Sequence, residues 1–241
     1  MKKIFLLVTA FTTLYTFSQN SKIIGSGTSA SNMYGGVQVT AGSNNGVWIK
    51  SSASKSKVEG SYYLFNNWVN NASFYLLGNE GYKVPQVNFN VRFNRFEANM
   101  SKNMAVDSIF AFNSQSIKKV VIGDKEFVKK QIEGKGSNYF LEMIQEGDKV
   151  SLLKSYNTVI NPGTINPMTQ KKMQADKIDI QSSYYIDRGG NLEEVKLKKS
   201  TVLKLMADKK QEIKSFLSDN KISFKVDADI KKIFNYYNSI I

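Results

Sequence analysis

Apolar and polar residues alternate most cleanly between Tyr82 and Asn94. Val87, Phe89, Val91 and Phe93 share one parity, and Asn88, Asn90, Arg92 and Asn94 the other. Successive side chains of a strand point to opposite faces, so this spacing predicts a strand with one face in a core and the other in water. Elsewhere apolar and β-branched runs recur roughly every eight to twelve positions between turn residues, the spacing of an all-β sandwich or barrel. They predict further strands at Ala72–Leu77, Phe96–Met100, Ser108–Phe112, Lys118–Ile122, Tyr139–Gln145, Val150–Tyr156, Lys177–Ile186 and Leu192–Leu197. Asn157–Asp176, broken by Asn161-Pro-Gly and Asn166-Pro, reads as a long surface loop.

After Ser200 the period changes from two to 3.6. Val202, Leu203 and Met206 predict a short helix for which Ser200 is the cap. Asp208-Lys-Lys-Gln211 resembles a capping box opening a second helix with Ile213, Phe216 and Leu217 on one face. Asp227, as an N-cap, opens a third with Ile230, Ile233, Phe234 and Tyr237 at i, i+3, i+4 and i+7. The expected fold class is therefore α+β: a mostly antiparallel sheet, barrel-like or sandwich, with two or three helices in about residues 200–241.

The stretch Gly60–Leu77 is dense in aromatic residues and offers both parities to an apolar environment: Tyr62 and Leu64 on one, Tyr63 and Phe65 on the other. Two-sided burial points to core. Trp68, between the pairs Asn66-Asn67 and Asn70-Asn71, is the side chain placed to reach a ligand, with Tyr62 nearby.

The first residues have a different pattern. Met1-Lys2-Lys3 precedes an apolar run of about eleven residues and the small residues Thr16 and Ser18, which is the layout of a secretory signal peptide cleaved near Ser18-Gln19. No later run approaches the ~18 apolar residues of a membrane-spanning helix. Residues 1–18 are thus expected to be removed, 19–58 to form a flexible Ser/Gly/Asn-rich leader that docks a hairpin at Val37–Thr40 and Val47–Lys50, and 59–241 to form one β-rich domain. The expected location is periplasmic or extracellular. Without cysteine there is no lipid-attachment site, which argues against a lipoprotein.

Composition then removes most chemistry. The chain has no Cys and no His, which excludes disulfides, thiolate nucleophiles, Ser-His-Asp and Cys-His catalysis and His-based metal or haem ligation. A carboxylate-based hydrolase acting on glycans survives as a class, since it needs only two acids ~5–9.5 Å apart. However, Glu97, Asp107, Glu126, Glu142, Asp179 and Asp187 fall on expected wet faces or in turns. Asp227-Ala-Asp229 and the pair Asp176/Asp179 lack the ligand spacing and turn glycine of a calcium loop. No catalytic residue, metal or cofactor is assigned.

The net charge is +13, yet only Arg92, Arg95 and Arg188 of the 33 basic residues are arginine. Lysine attracts anions without the bidentate fork of arginine, so nucleic acid is disfavoured as a partner. Residues 196–241 carry eleven Lys against five acids. These lysines read either as the solvated side of packed helices or as a face for a polyanion such as an acidic glycan, a lipid or the envelope surface, with Lys198 and Lys199 as contacts.

Gly60-Ser61-Tyr62-Tyr63-Leu64 with Trp68, the strand containing Asn90, Tyr139-Phe140 and the C-terminal Tyr236-Tyr237-Asn238 together resemble a family of secreted proteins of Bacteroidota-type bacteria. The likeness covers about residues 58–241 and departs at Tyr62, where proline is expected. That family has no assigned activity, so the resemblance implies origin and secretion and no catalytic residue. The function expected from sequence is that of a secreted or envelope-associated, non-enzymatic protein, with binding as its mode of action.

Overall fold

A computed structural model describes residues 37–41, 46–51, 58–77, 81–99, 108–134 and 138–241. The signal segment, Asp107 and most of the leader lie outside the described residues. The strands are β1 (Val37–Ala41), β2 (Gly46–Ser51), β3 (Val58–Glu59), β4 (Ala72–Leu76), β5 (Gly81–Val84), β6 (Val87–Asn90), β7 (Arg95–Ala98), β8 (Ser108–Phe112), β9 (Ile117–Ile122), β10 (Lys125–Gln131), β11 (Asn138–Gln145), β12 (Ser151–Asn161), β13 (Asp176–Arg188) and β14 (Asn191–Val195). Three helices follow: α1 (Lys199–Leu205), α2 (Lys210–Asp219) and α3 (Asp227–Ser239). None of the described helices is long and apolar enough to cross a membrane.

The fold is α+β. A small antiparallel sheet has the order β1-β2-β8-β7-β6, and a long one runs β14-β13-β12-β11-β10-β9-β4-β5, with β3 added in parallel to the start of β13. The expected β1–β2 hairpin forms, and β2 pairs on its other side with β8. Neither sheet closes into a barrel.

The stretch Tyr82–Asn94 is two strands rather than one. Pro85 cannot donate to a ladder, Gln86 adopts φ +55°, and between them the chain leaves the long sheet at β5 and enters the small one at β6. The two sheets thereby face each other across a core of phenylalanines. Phe74, Phe127 and Phe140 come from the long sheet and Phe89, Phe96 and Phe112 from the small one. Phe96 is central, with ring centroids at 5.8 Å from Phe74, 5.0 Å from Phe89, 5.5 Å from Phe127 and 5.0 Å from Phe140.

The polar parity of β6 is not wet. Asn88, Asn90 and Glu97 are buried because residues 62–64 pair with the free edge of β6, the Leu64 amide donating to Phe89 and the Val91 amide to Tyr62, while the Tyr63 side chain and residues 65–67 close over the polar face. Phe65 and Asn88 exchange hydrogen bonds, the Phe65 amide donating to Asn88 Oδ1 at 3.1 Å and Asn88 Nδ2 donating to the Phe65 carbonyl at 2.8 Å. The amide side chain thus imitates a neighbouring strand. Past Asn90 the alternation belongs to a turn, and Phe93 is exposed.

The long sheet is strongly coiled. Lys130 on β10 and Asp187 on β13 are 2.6 Å apart, although three strand spacings would separate them by about 14 Å in a flat sheet. The concave side so formed carries Ile132, Leu141, Leu153 and Tyr185. On the opposite face the helices cover Ile144, Leu152, Ile186 and Val195 with Val202, Ile213, Ile230, Ile233 and Phe234.

The predicted helices are present, but their caps differ. Lys198, Lys209 and Val226 occupy the N-cap positions and none makes a side-chain cap bond. Ser200 lies inside α1, Asp208 accepts instead from the Tyr237 hydroxyl at 2.9 Å, and Asp227 turns away from its own helix. Packing of the apolar stripes, not capping, fixes these helices.

Candidate functional site

Three polar constellations are built by this arrangement. The first lies under residues 61–70. Glu97 accepts from the Tyr63 hydroxyl at 2.6 Å, from Arg95 Nε at 2.6 Å and from Asn90 Nδ2 at 3.2 Å. Burial, followed by the Glu97 charge, pushes the Tyr63 phenol far above its ordinary value, so it remains a donor. Trp68 is half-buried with its ring edge-on to Tyr63 at 4.7 Å, and Tyr62 lies beneath the Arg92 guanidinium at 4.9 Å.

The second is a seam on the helix-covered face, between the phenylalanine core and the helical core. Cross-strand register puts Glu142, Lys154 and Tyr184 in one row. Glu142 accepts from Lys125 at 2.6 Å and from the Tyr156 hydroxyl. Asp227 of α3 accepts from Lys154 at 2.7 Å and from the Tyr184 hydroxyl. The Lys154 ammonium sits 5.5 Å and 5.4 Å from the ring centres of Tyr156 and Tyr184. Two cations and two carboxylates neutralise one another, with every hydroxyl donated, so the seam joins the helices to the sheet and leaves no group spare for a substrate.

Asp227 makes this joint sensitive to acid. Burial works to raise its pKa, but the hydrogen bonds from Lys154 and Tyr184 outweigh it and hold the carboxyl below its ordinary value. A group whose folded pKa is depressed contributes stability above the unfolded value, and that contribution disappears as pH falls through the folded one. Comparing urea unfolding of the native chain with Asp227→Asn should therefore give a stability gap at about pH 6 that shrinks below about pH 4. A gap unchanged down to about pH 2 would show that the Asp227 charge does not hold α3.

The third constellation is open. A groove of about 520 Å³ on the concave side of the long sheet is lined by Tyr75, Leu76, Val128 and Met143, with Lys118, Lys119, Lys129 and Lys130 and the acids Glu126 and Glu146. Period-two geometry turns Tyr75 away from the core that holds Phe74, and Val128 away from Phe127. Tyr75 is exposed, and the Lys119 ammonium flanks its ring at 5.2 Å. Lys119 pairs with Glu126 at 3.1 Å and Lys130 with Asp187 at 2.6 Å. Lys129 donates to the Ser114 carbonyl at 2.5 Å, and burial lowers its pKa.

Of the residues singled out from sequence, Tyr62 and Trp68 belong to the segment over the small sheet, whereas the exposed Lys198 and Lys199 begin α1. The groove is lined by none of the four. Lys129 and Lys130 escaped notice because β10 did: Lys125-Glu-Phe-Val-Lys-Lys-Gln131 has no alternation, Phe127 entering one face and Val128 the other; Lys118 and Lys119 stood on a predicted strand whose neighbour was missing. The available signal was Gly123-Asp124 between the apolar runs Val120–Ile122 and Phe127-Val128, a hairpin spacing.

The acids expected on wet faces or in turns are partly buried. Glu97, Glu142 and Asp187 are enclosed, and each is held by a cation, Arg95, Lys125 and Lys130 respectively. No group of three or more potential metal-ligating side chains occurs among the described residues. The chain matches no protein-family model, no curated protein and no solved structure.

Proposed function

We propose that this chain is exported and acts without chemistry of its own, binding an acidic glycan in the concave groove of the long sheet. The observation that carries the reading is the pairing, in one open groove, of an exposed tyrosine ring with the exposed Lys118 and the ion-paired Lys119 and Lys130 of the adjacent strands β9 and β10. A sugar ring stacks on an aromatic face, and a carboxylate or sulfate on that sugar meets an ammonium at the rim. The N-terminal signal pattern and the positive net charge support an extracytoplasmic encounter with anionic polymers. The buried carboxylates, each with its oxygens occupied by donors, favour binding over hydrolysis.

The test is retention of the protein on an immobilised polyuronate across a salt gradient. Native protein should elute earlier as salt rises, and Tyr75→Ala/Lys118→Glu should weaken binding at least about tenfold, the scale of one lost stacking contact plus one reversed charge. Lys198→Glu/Lys199→Glu should change it less than about twofold, since exposed lysines outside the groove contribute only screened attraction. If the second variant loses retention and the first keeps it, the helical lysines are the binding face and the groove reading fails.

A further inference from the structure

The region read from sequence as a long surface loop, Asn157–Asp176, is a loop at its centre, residues 162–175, but its ends, Asn157–Asn161 and Asp176, belong to the paired strands β12 and β13. β11 pairs with β12 only through Glu142, Met143 and Gln145, opposite Lys154, Leu153 and Leu152. Beyond Lys154, β12 and β13 continue together to the pair Asn161–Lys177. Residues 155–161 of β12 therefore extend a two-stranded ribbon by about 24 Å at ~3.4 Å per residue. One side of that ribbon is anchored, since Ile178 is buried and Tyr156 and Ile180 pack on the phenylalanine core. β3 pairs with Asp176 and Lys177 at the end of the ribbon, and beyond it the tip, residues 162–175, is mostly exposed.

That tip is ordered and apolar outward. Met168 is 92% exposed, Met173 68% and Ile165 57%, and Ile160 at the end of the ribbon 50%. Single exposed apolar residues are ordinary, but four in sixteen positions at one projecting end are not. Several backbone amides beneath them are bonded within the tip. The Asn166 amide donates to the Lys171 carbonyl at 2.9 Å, Gln170 to Asn166 at 2.8 Å and Met173 to Thr164 at 2.8 Å, while Asn166 Oδ1 receives the amides of Met168 and Thr169. Gly163 closes the base where only glycine fits, because a Cβ there would stand 1.9 Å from the Gln174 carbonyl oxygen.

Internal satisfaction of backbone donors is what a segment entering an apolar phase requires. From Ile160 to Ala175 there are two lysines and no Asp or Glu; Lys172 pairs with Asp176 at 2.7 Å at the base of the tip, and Lys171 is exposed. An apolar point rimmed by lysine suits the interface of an anionic bilayer, where long cationic side chains stay at the phosphates while their neighbours sink below. A protein partner suits it less well. Four such side chains offer on the order of 200–400 Å² of apolar area, well short of the ~800 Å² per side of a specific protein interface, and a convex point needs a matching hollow in a protein but none in a fluid bilayer.

We infer that the β12–β13 tip docks on anionic phospholipid surfaces, with Met168, Ile165 and Met173 entering the interface and Lys171 meeting the phosphates. This goes beyond the glycan reading and does not depend on it. Because the chain has no cysteine, Met168→Cys provides a single attachment point for an environment-sensitive fluorophore, and Ser218→Cys, exposed on α2, provides a control carrying the same N-terminal segment. With phosphatidylglycerol/phosphatidylethanolamine vesicles, the probe at 168 should shift to the blue and gain protection from aqueous iodide, and the probe at 218 should do neither. Adding Ile165→Gln/Met173→Gln to the labelled chain should abolish the shift. Lys171→Gln/Lys172→Gln, or neutral phosphatidylcholine vesicles, should raise the lipid concentration at half-effect about tenfold. A probe at 168 that remains in water overturns the inference, leaving the tip to a protein partner. So does a shift that survives loss of Ile165 and Met173, which would assign membrane contact to another segment.

Discussion

Phe96→Ala is expected to lower the free energy of unfolding by about 3–5 kcal/mol, the largest loss from any single truncation in this core. Phe96 is fully buried and its ring meets Phe89 of its own sheet and Phe74, Phe127 and Phe140 of the other. Truncation removes the transfer energy of one benzyl group and leaves a cavity walled by rings from two rigid sheets, which cannot collapse without shifting one sheet over the other. The edge-to-face and tilted contacts are lost besides, each worth about 0.5–1.5 kcal/mol beyond area. Against a typical total of ~5–15 kcal/mol, such a variant is near its limit. Urea unfolding should show a lower midpoint with an unchanged slope. A loss below about 1 kcal/mol would mean that the two sheets do not share one core.

How much of this was legible follows from where each apolar side chain goes. The helical stripe of α3 was readable because it is one buried face, and a single face writes its period into the sequence; β13 was readable because Ile178, Ile180, Tyr184 and Ile186 share a parity, although Tyr185 is buried on the other side. β10 was not, because Phe127 and Val128 serve opposite sides of a coiled sheet, and two-sided demand erases alternation. The crossing at Pro85-Gln86 was marked in the sequence and passed over: the apolar parity changes there from Tyr82 and Val84 in β5 to Val87 and Phe89 in β6, on either side of a proline. Asp227 was read as a local cap, but its partners Lys154 and Tyr184 lie 73 and 43 positions away in sequence. No local rule reaches that far. The groove was missed for the same reason, since its lysines become neighbours of Tyr75 only through the pairing of β4 with β9 and of β9 with β10.

Glu97→Ala should cost about 3–5 kcal/mol, because it breaks a buried ion pair by deleting one partner. Three donors converge on this carboxylate, whose side chain is 2% accessible, while Arg95 keeps 18% of its own accessible. The Tyr63 hydroxyl and Asn90 Nδ2 would be left buried beneath residues 61–70, each carrying the desolvation cost of an unmade bond, about 1–3 kcal/mol. Glu97→Gln, which keeps the shape and one acceptor oxygen, should cost less than half as much. Tyr63→Phe removes one of the stranded donors in advance, so Tyr63→Phe/Glu97→Ala should fall short of the sum of the single losses by more than about 0.5 kcal/mol. The optical readout is local: in a Trp48→Phe background, Trp68 is the remaining indole, and its edge contact with Tyr63 should loosen in Glu97→Ala before the sheets unfold, shifting its emission to the red at low urea. Additive losses with unchanged Trp68 emission would mean that the segment is held by its backbone bonds to β6 and by Asn88, and that Glu97 merely neutralises Arg95. The expected coupling instead makes the carboxylate on the outer face of β7 the reason an aromatic segment with polar neighbours can lie flat on asparagines: it turns a face that alternation marks as wet into a second, hydrogen-bonded interior.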